Sequence, residues 1–145
     1  MPAYLNEHVL LSIQIAAAWW MAGLCWLVQF VVYPQFARVP ADCFAVYHRH
    51  HVVFTGCVVM PAMLLELAAA AAWVWTTPPG TVAWVATGLL ALCWANTFAF
   101  EVPLHGRFRR GGATPGLVRT LIWGNLPRTL AWTARGVLLL GMLRP

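Results

Sequence analysis

Two short patterns carry most of the chemistry in this chain: His48-x-x-His51 and Glu101-x-x-x-His105. Residues three or four apart share a face of a helix. If both stretches are helical, they present three imidazoles and one carboxylate. Imidazole suits zinc, copper and iron, and carboxylate is acceptable to iron or zinc. Helical bundles build metal sites from side chains that face one another in this way. The expected ligands are His48, His51, His105 and Glu101, holding copper or iron, with zinc also admissible. Tyr47, Gln29 or Asn125 would orient the rings through hydrogen bonds. The plainer alternative is a set of interfacial histidines solvated by headgroups. His50 points away from the pair, and His8, beside Glu7, reads as interfacial.

The elements that must position these side chains are membrane helices. Of 145 residues, 61% are hydrophobic and only 9% are charged. Soluble domains carry about 25% charged residues, so this is an all-α, polytopic membrane protein. A spanning helix needs about 20 mostly apolar residues. Four segments qualify, from about 9 to 33, 41 to 75, 81 to 104 and 117 to 143. They predict one domain over residues 1–145, a four-transmembrane-helix bundle. Pro40 and Asp42 mark the start of the second span. Tyr33-Pro34 is expected to end the first, Pro103 the third, and Thr77-Pro78-Pro79-Gly80 to form a tight turn. The apolar run near the N-terminus is longer than a signal peptide's core and lacks a basic start, so it is expected to be a retained span.

The basic charge is a topology signal. The net charge of +5 comes from nine arginines and no lysine. Four spans put both termini on one side, with Arg144. Arg38, Arg49, Arg107, Arg109, Arg110 and Arg119 fall on the other. The positive-inside rule makes that second side cytoplasmic. The expectation is a bacterial inner-membrane protein with both termini on the non-cytoplasmic side. Nothing here resembles a soluble basic surface for nucleic acid. Cys25, Cys43, Cys57 and Cys93 form no Cys-x-x-Cys; three lie inside apolar segments, where a thiol is expected to pack as a small hydrophobe in preference to ligating a metal or forming a disulfide.

Ionisable groups inside spans are costly and mark functional hypotheses. At ~1.5 Å per residue, His48, His51, Glu101 and His105 all lie toward the arginine-rich side. Gln29, Tyr33, Asn125 and Arg128 point to the same half. Glu66 and Arg135 lie across the midplane and are expected to pair. Glu66 is ~27 Å along the helix from His48, too far to share its site. The deeper tryptophans, Trp19, Trp20, Trp26, Trp94, Trp123 and Trp132, are expected to pack the bundle. Trp73, Trp75 and Trp84 would form an interfacial belt. No phosphate-cradling glycine loop, Gly-x-Ser-x-Gly elbow or His-Glu-x-x-His motif occurs.

Five landmarks resemble a group of small, uncharacterised four-helix bacterial integral membrane proteins. They are Gln29-x-x-x-Tyr33-Pro34, Tyr47-His48-x-x-His51, Pro61-x-Met-Leu-Leu-Glu66, Val102-Pro-Leu-His105 and Asn125-x-x-Arg128-Thr-x-x-Trp-Thr-x-Arg135. The resemblance spans nearly the whole chain. That group is distantly similar to anthrone-oxygenase-like membrane proteins, which oxidise flat polyketides. The resemblance implies an oxidative role on a lipophilic substrate, although anthrone oxygenases are often regarded as needing no cofactor.

The expected function is a membrane-embedded, metal-dependent oxidoreductase acting on a lipophilic aldehyde or aromatic that enters from the bilayer. Glu101 would act as ligand or base. Asn125 and Arg128 would hold a polar head or stabilise developing negative charge. The alternative is a non-enzymatic carrier or a metal- or ligand-binding membrane subunit, working as a homo-oligomer because four spans offer little for alternating access. A third reading has the polar cluster only gluing helices together.

Overall fold

The computed structural model describes residues 3–76 and 80–143, with side chains from residue 7 onward. Thr77, Pro78 and Pro79 of the expected turn, and Arg144, lie outside the described residues. The described chain is helical and folds as four rods. The first comprises α1 (Ala3–Leu27), a π-helical turn (Val28–Val32) and α2 (Tyr33–Phe36). The second is α3 (Ala41–Thr76). The third comprises α4 (Thr81–Asn96), a second π turn (Thr97–Glu101) and α5 (Val102–Gly111), and the fourth is α6 (Pro115–Leu140).

Three rods, Glu7–Phe36, Ala41–Thr76 and Thr81–Gly111, are long and apolar enough to cross a membrane. The fourth has 26 residues, ~39 Å at helical rise. It is less apolar because it carries Arg119, Arg128 and Arg135. The four expected spans are thus met in length by all four rods and in apolar character by three. The outer surface fits a bilayer: Trp20, Phe54, Leu64 and Leu65 are all exposed. In water so broad an apolar surface would aggregate.

The two π turns correct the expectation that prolines end the first and third spans. Proline lacks an N–H, and its ring collides with the carbonyl four residues back. Here the turn before each proline widens. The Tyr33 N–H donates to Val28 O and the Val102 N–H to Thr97 O, five residues back instead of four. The helix then absorbs Pro34 and Pro103 and runs on to Phe36 and Gly111. Such π turns are often found at functional sites.

Other boundaries have local causes. Thr114 caps α6, its hydroxyl accepting from the Leu117 N–H at 3.3 Å, with Pro115 in the first turn. Gly112, at φ +70°, ends α5 in a conformation that costs glycine little. Pro61 and Pro127 sit inside continuous helices.

The first rod packs on α3 and α6, and α6 packs on α4. Between α3 and the third rod the packing is thin, which leaves a seam along the bundle. The core has two parts. One gathers Met21, Ala22, Met63, Cys93 and Trp132. The other gathers Tyr33, Phe36, Phe44, Leu104, Phe108 and Leu121 at the arginine-rich end. Close approach of α6 to the third rod depends on Gly124, where any Cβ would overlap the Phe100 ring.

The tryptophans divide differently from expectation. Trp132 and Trp73 are packed inside, whereas Trp20 and Trp123 are about 60% exposed, at 58% and 62%. The latter two face outward because each lies opposite its rod's buried stripe. All four cysteines are free; Cys25 and Cys93 are buried, and Cys43 and Cys57 are exposed.

Candidate functional site

The second core surrounds the three imidazoles. His48 Nε2 and His105 Nδ1 face each other at 3.0 Å, joining α3 to α5. The other ring nitrogen of His105, Nε2, lies 3.4 Å from the Tyr33 hydroxyl. That hydroxyl donates to Glu101 Oε2 at 2.9 Å. The hydroxyl proton is committed to Glu101, so the hydroxyl oxygen is left to accept from His105 Nε2–H. His105 Nδ1 then accepts from His48 Nε2–H. The result is one directed chain, His48 to His105 to Tyr33 to Glu101, crossing three rods. Glu101 Oε1, at its far end, is buried with no hydrogen-bond partner among the described residues.

His51 completes the cluster without joining the chain. Its ring centroid is 5.5 Å from that of His105 and 6.5 Å from that of His48. Its Nδ1 meets the Thr55 hydroxyl one turn on, at 3.3 Å. The aromatic walls come from spacing that repeats the helical turn. Phe44 stacks on His48 at 5.5 Å, four residues away on α3. Phe108 lies 5.5 Å from His48. Phe36 is fully buried and presents its edge or face to His48, His51 and His105 at 5.0–6.3 Å.

Glu101 therefore stands one hydrogen bond behind the imidazoles, on Tyr33, instead of among them. Among the described residues, no three or more His, Cys, Asp or Glu side chains are gathered so as to hold a metal ion. Of the residues expected to orient the rings, none does. Tyr47 packs edge-on against Phe36, and Gln29 and Asn125 bond to each other. Tyr33 and Thr55 take that role. The sequence signals for them were Tyr33-Pro34-x-Phe36 and His51-x-x-x-Thr55.

Asn125 and Arg128 belong to a second, deeper network. Asn125 Nδ2 donates to Gln29 Oε1 at 2.7 Å and to Thr129 Oγ1 at 3.1 Å. Arg128 Nε donates to Asn125 Oδ1 at 2.6 Å and Nη1 to Thr97 Oγ1 at 3.3 Å. Among the described residues Arg128 has no carboxylate at ion-pair distance, although it is 93% buried at 7% exposure. A third network holds the opposite half. Arg135 Nε pairs with Glu66 Oε1 at 2.7 Å, as expected, with both side chains fully buried. Trp132 donates to Glu66, and Arg135 donates to Gln14 and to the Ala86 carbonyl.

The His48–His105 pair forms the floor of a groove in the seam. Its volume is about 330 Å³, and its walls include Val52, Val53 and Val102, with Arg49 and Arg109 at the rim. His50 is exposed, and so is His8. Compared with protein-family models, curated proteins and solved structures, the chain matches none.

Proposed function

We propose that this protein is a membrane-embedded, metal-dependent oxidoreductase that takes a lipophilic small molecule from the bilayer through the seam. The observation that carries the reading is the His48–His105 nitrogen pair, 3.0 Å apart on the floor of a lipid-side groove. Two nitrogens on one tetrahedral ion at ~2.0–2.1 Å stand about 3.3 Å apart, so the pair is close to the spacing of two ligands once the His48 proton moves from Nε2 to Nδ1 and frees Nε2 to bind. Tyr33 and Glu101 behind His105 supply the hydrogen-bonded backing that metal-bound histidines ordinarily have. His51, whose ring centroid is 5.5 Å from that of His105, would be the third ligand once its ring leaves Thr55. Copper or iron held there would supply one-electron chemistry with dioxygen as the oxidant, and Glu101, through Tyr33, would accept the proton released from the substrate.

Arg128 and Asn125 do not touch the imidazoles; their part in this reading is to tie the first, third and fourth rods together beneath the site. The arginine-rich rim is the cytoplasmic face of an inner membrane, by the positive-inside rule. The resemblance to small bacterial membrane proteins distantly similar to anthrone oxygenases points toward the same oxidative class.

A second reading is a non-enzymatic carrier. It is favoured by the directed chain, in which both nitrogens of His105 are engaged by protein groups. Metal analysis of gently purified protein separates the two. The expected result is copper or iron near one per chain, lost in His48→Ala and in His105→Ala. A wild-type protein without copper or iron overturns the oxidoreductase and leaves the carrier.

A further inference from the structure

The groove over the imidazole pair is graded along its length. On α3 the wall runs from Arg49 at the outer end to Val53 one turn deeper, and on α5 from Arg109 to Val102. The two rods enter from the same end of the bundle, so both guanidiniums stand at its outer end and the valines toward the bilayer interior. His48 and His105 lie between. Both arginines are exposed, with no hydrogen bond or ion pair to a described side chain. Their donors are therefore free for a ligand. The helical backbone beside them is already paired and offers no further N–H donors.

We propose that this groove binds a single-chain amphiphile with a carboxylate head, the head held between Arg49 and Arg109 and the chain lying along Val53 and Val102. Guanidinium groups match the planar fork of a carboxylate and bind it through two parallel hydrogen bonds. The volume, about 330 Å³, is at the low end of small-molecule sites, roughly 300–1,000 Å³. It fits a head and the first part of one chain. His105 stands four residues, ~6 Å, inward of Arg109. A bound head at the rim thus puts the first carbons of the chain against the imidazole pair. The proposal rests on the reading above for where chemistry occurs, and it names the substrate class of that site.

The test is photolabelling of the full-length protein in nanodiscs of zwitterionic lipid. The probe is a long-chain carboxylic acid with a diazirine close to its head, and labelled peptides are located by mass spectrometry. Labelling is expected on α3 and α5 around Val53 and Val102. Excess hexadecanoate should compete it away, and its methyl ester should not. Arg49→Gln with Arg109→Gln should cut the labelling at least fivefold. Val53→Trp, which fills the groove and leaves both arginines, should do the same. Labels spread evenly over the lipid-facing surface would overturn the proposal. So would equal competition by the ester, or unchanged labelling in the double variant. Competition by an alkyl phosphate but not by hexadecanoate would also overturn it. The assay needs neither metal nor turnover. A protein without copper or iron that still labels in the groove loses the oxidoreductase reading and keeps this one.

Discussion

The Tyr33 hydroxyl stands between Glu101 Oε2, at 2.9 Å, and His105 Nε2, at 3.4 Å. Among the described residues it is the one hydrogen-bonded link between the carboxylate of the third rod and the imidazole pair. Its position depends on the π turn before Pro34, which carries Tyr33 and Phe36 into the bundle. The hydroxyl orients His105 so that Nδ1 remains an acceptor toward His48. It also gives the buried carboxylate its hydrogen-bond donor among the described residues.

Tyr33→Phe removes that link and keeps the ring. The phenyl group retains its packing against Phe36, so the bundle should still form. Loss of a hydrogen-bonded partner behind a ligand histidine costs about 10–100-fold in metal affinity or activity. The expected outcome is a loss of that size with a near-normal thermal unfolding curve in detergent. Titrating copper or iron into the stripped protein measures the affinity directly. An affinity equal to that of the wild type would show that Tyr33 does not support the pair.

The Glu66–Arg135 pair belongs to stability and not to the groove. Breaking a buried pair by removing one partner costs about 3–5 kcal/mol, because the other charge is stranded. Glu66→Ala should lower the unfolding midpoint markedly. The double change Glu66→Leu with Arg135→Leu should recover much of the loss, since a buried pair can be replaced by apolar groups at little cost. Trp132 loses its partner in both variants, and Gln14 and the Ala86 carbonyl lose theirs in the double variant, which keeps the recovery incomplete. Groove labelling and metal content should be unchanged in the folded fraction, because the pair is ~27 Å along the helix from His48.

The sequence was informative where a single helix decides the outcome and silent where two rods must meet. His48 and His51 share a face because three residues separate them. The pairing of Glu66 with Arg135 follows from the cost of an isolated charge in a bilayer. Depth arithmetic placed Glu101 and His105 at the level of the α3 histidines. It did not show that a tyrosine would stand between them, because that depends on how rods are rotated. The prolines misled for a definite reason: a proline forbids the ordinary hydrogen bond but not a widened turn. Phe36 lies three residues beyond Tyr33, past the expected helix end, and so escaped notice as the centre of the aromatic cluster.

Gly124 tests how closely α6 must approach the third rod. A methyl group there would overlap the Phe100 ring, one residue before Glu101. Overpacking of this kind costs typically about 1–3 kcal/mol. Gly124→Ala should lower the unfolding midpoint and also disturb Glu101, weakening metal or ligand binding. Phe100→Ala in the same chain makes room for the methyl group. The double variant should therefore be more stable than the sum of the two single losses, and a double-mutant cycle in detergent reads this coupling. Strict additivity would mean that the ring swings aside freely and that the contact does not hold the two rods in register.

His51 is the side chain on which the two functional readings divide. In the directed chain it has no part, because its Nδ1 meets Thr55 and its ring stands beside the His48–His105 pair. In a metal centre it is the third nitrogen, and two imidazoles alone make a weak site. His51→Ala should therefore strip copper or iron from the purified protein as completely as His105→Ala does. Thr55→Val, which frees the His51 ring and leaves the imidazole, should hold or raise the metal content. Under the carrier reading neither change matters, and lipophilic ligand binding survives both. Metal quantification of the three variants beside the wild type decides it. Retention of bound metal in His51→Ala would place the ion on the His48–His105 pair alone and remove His51 from the centre.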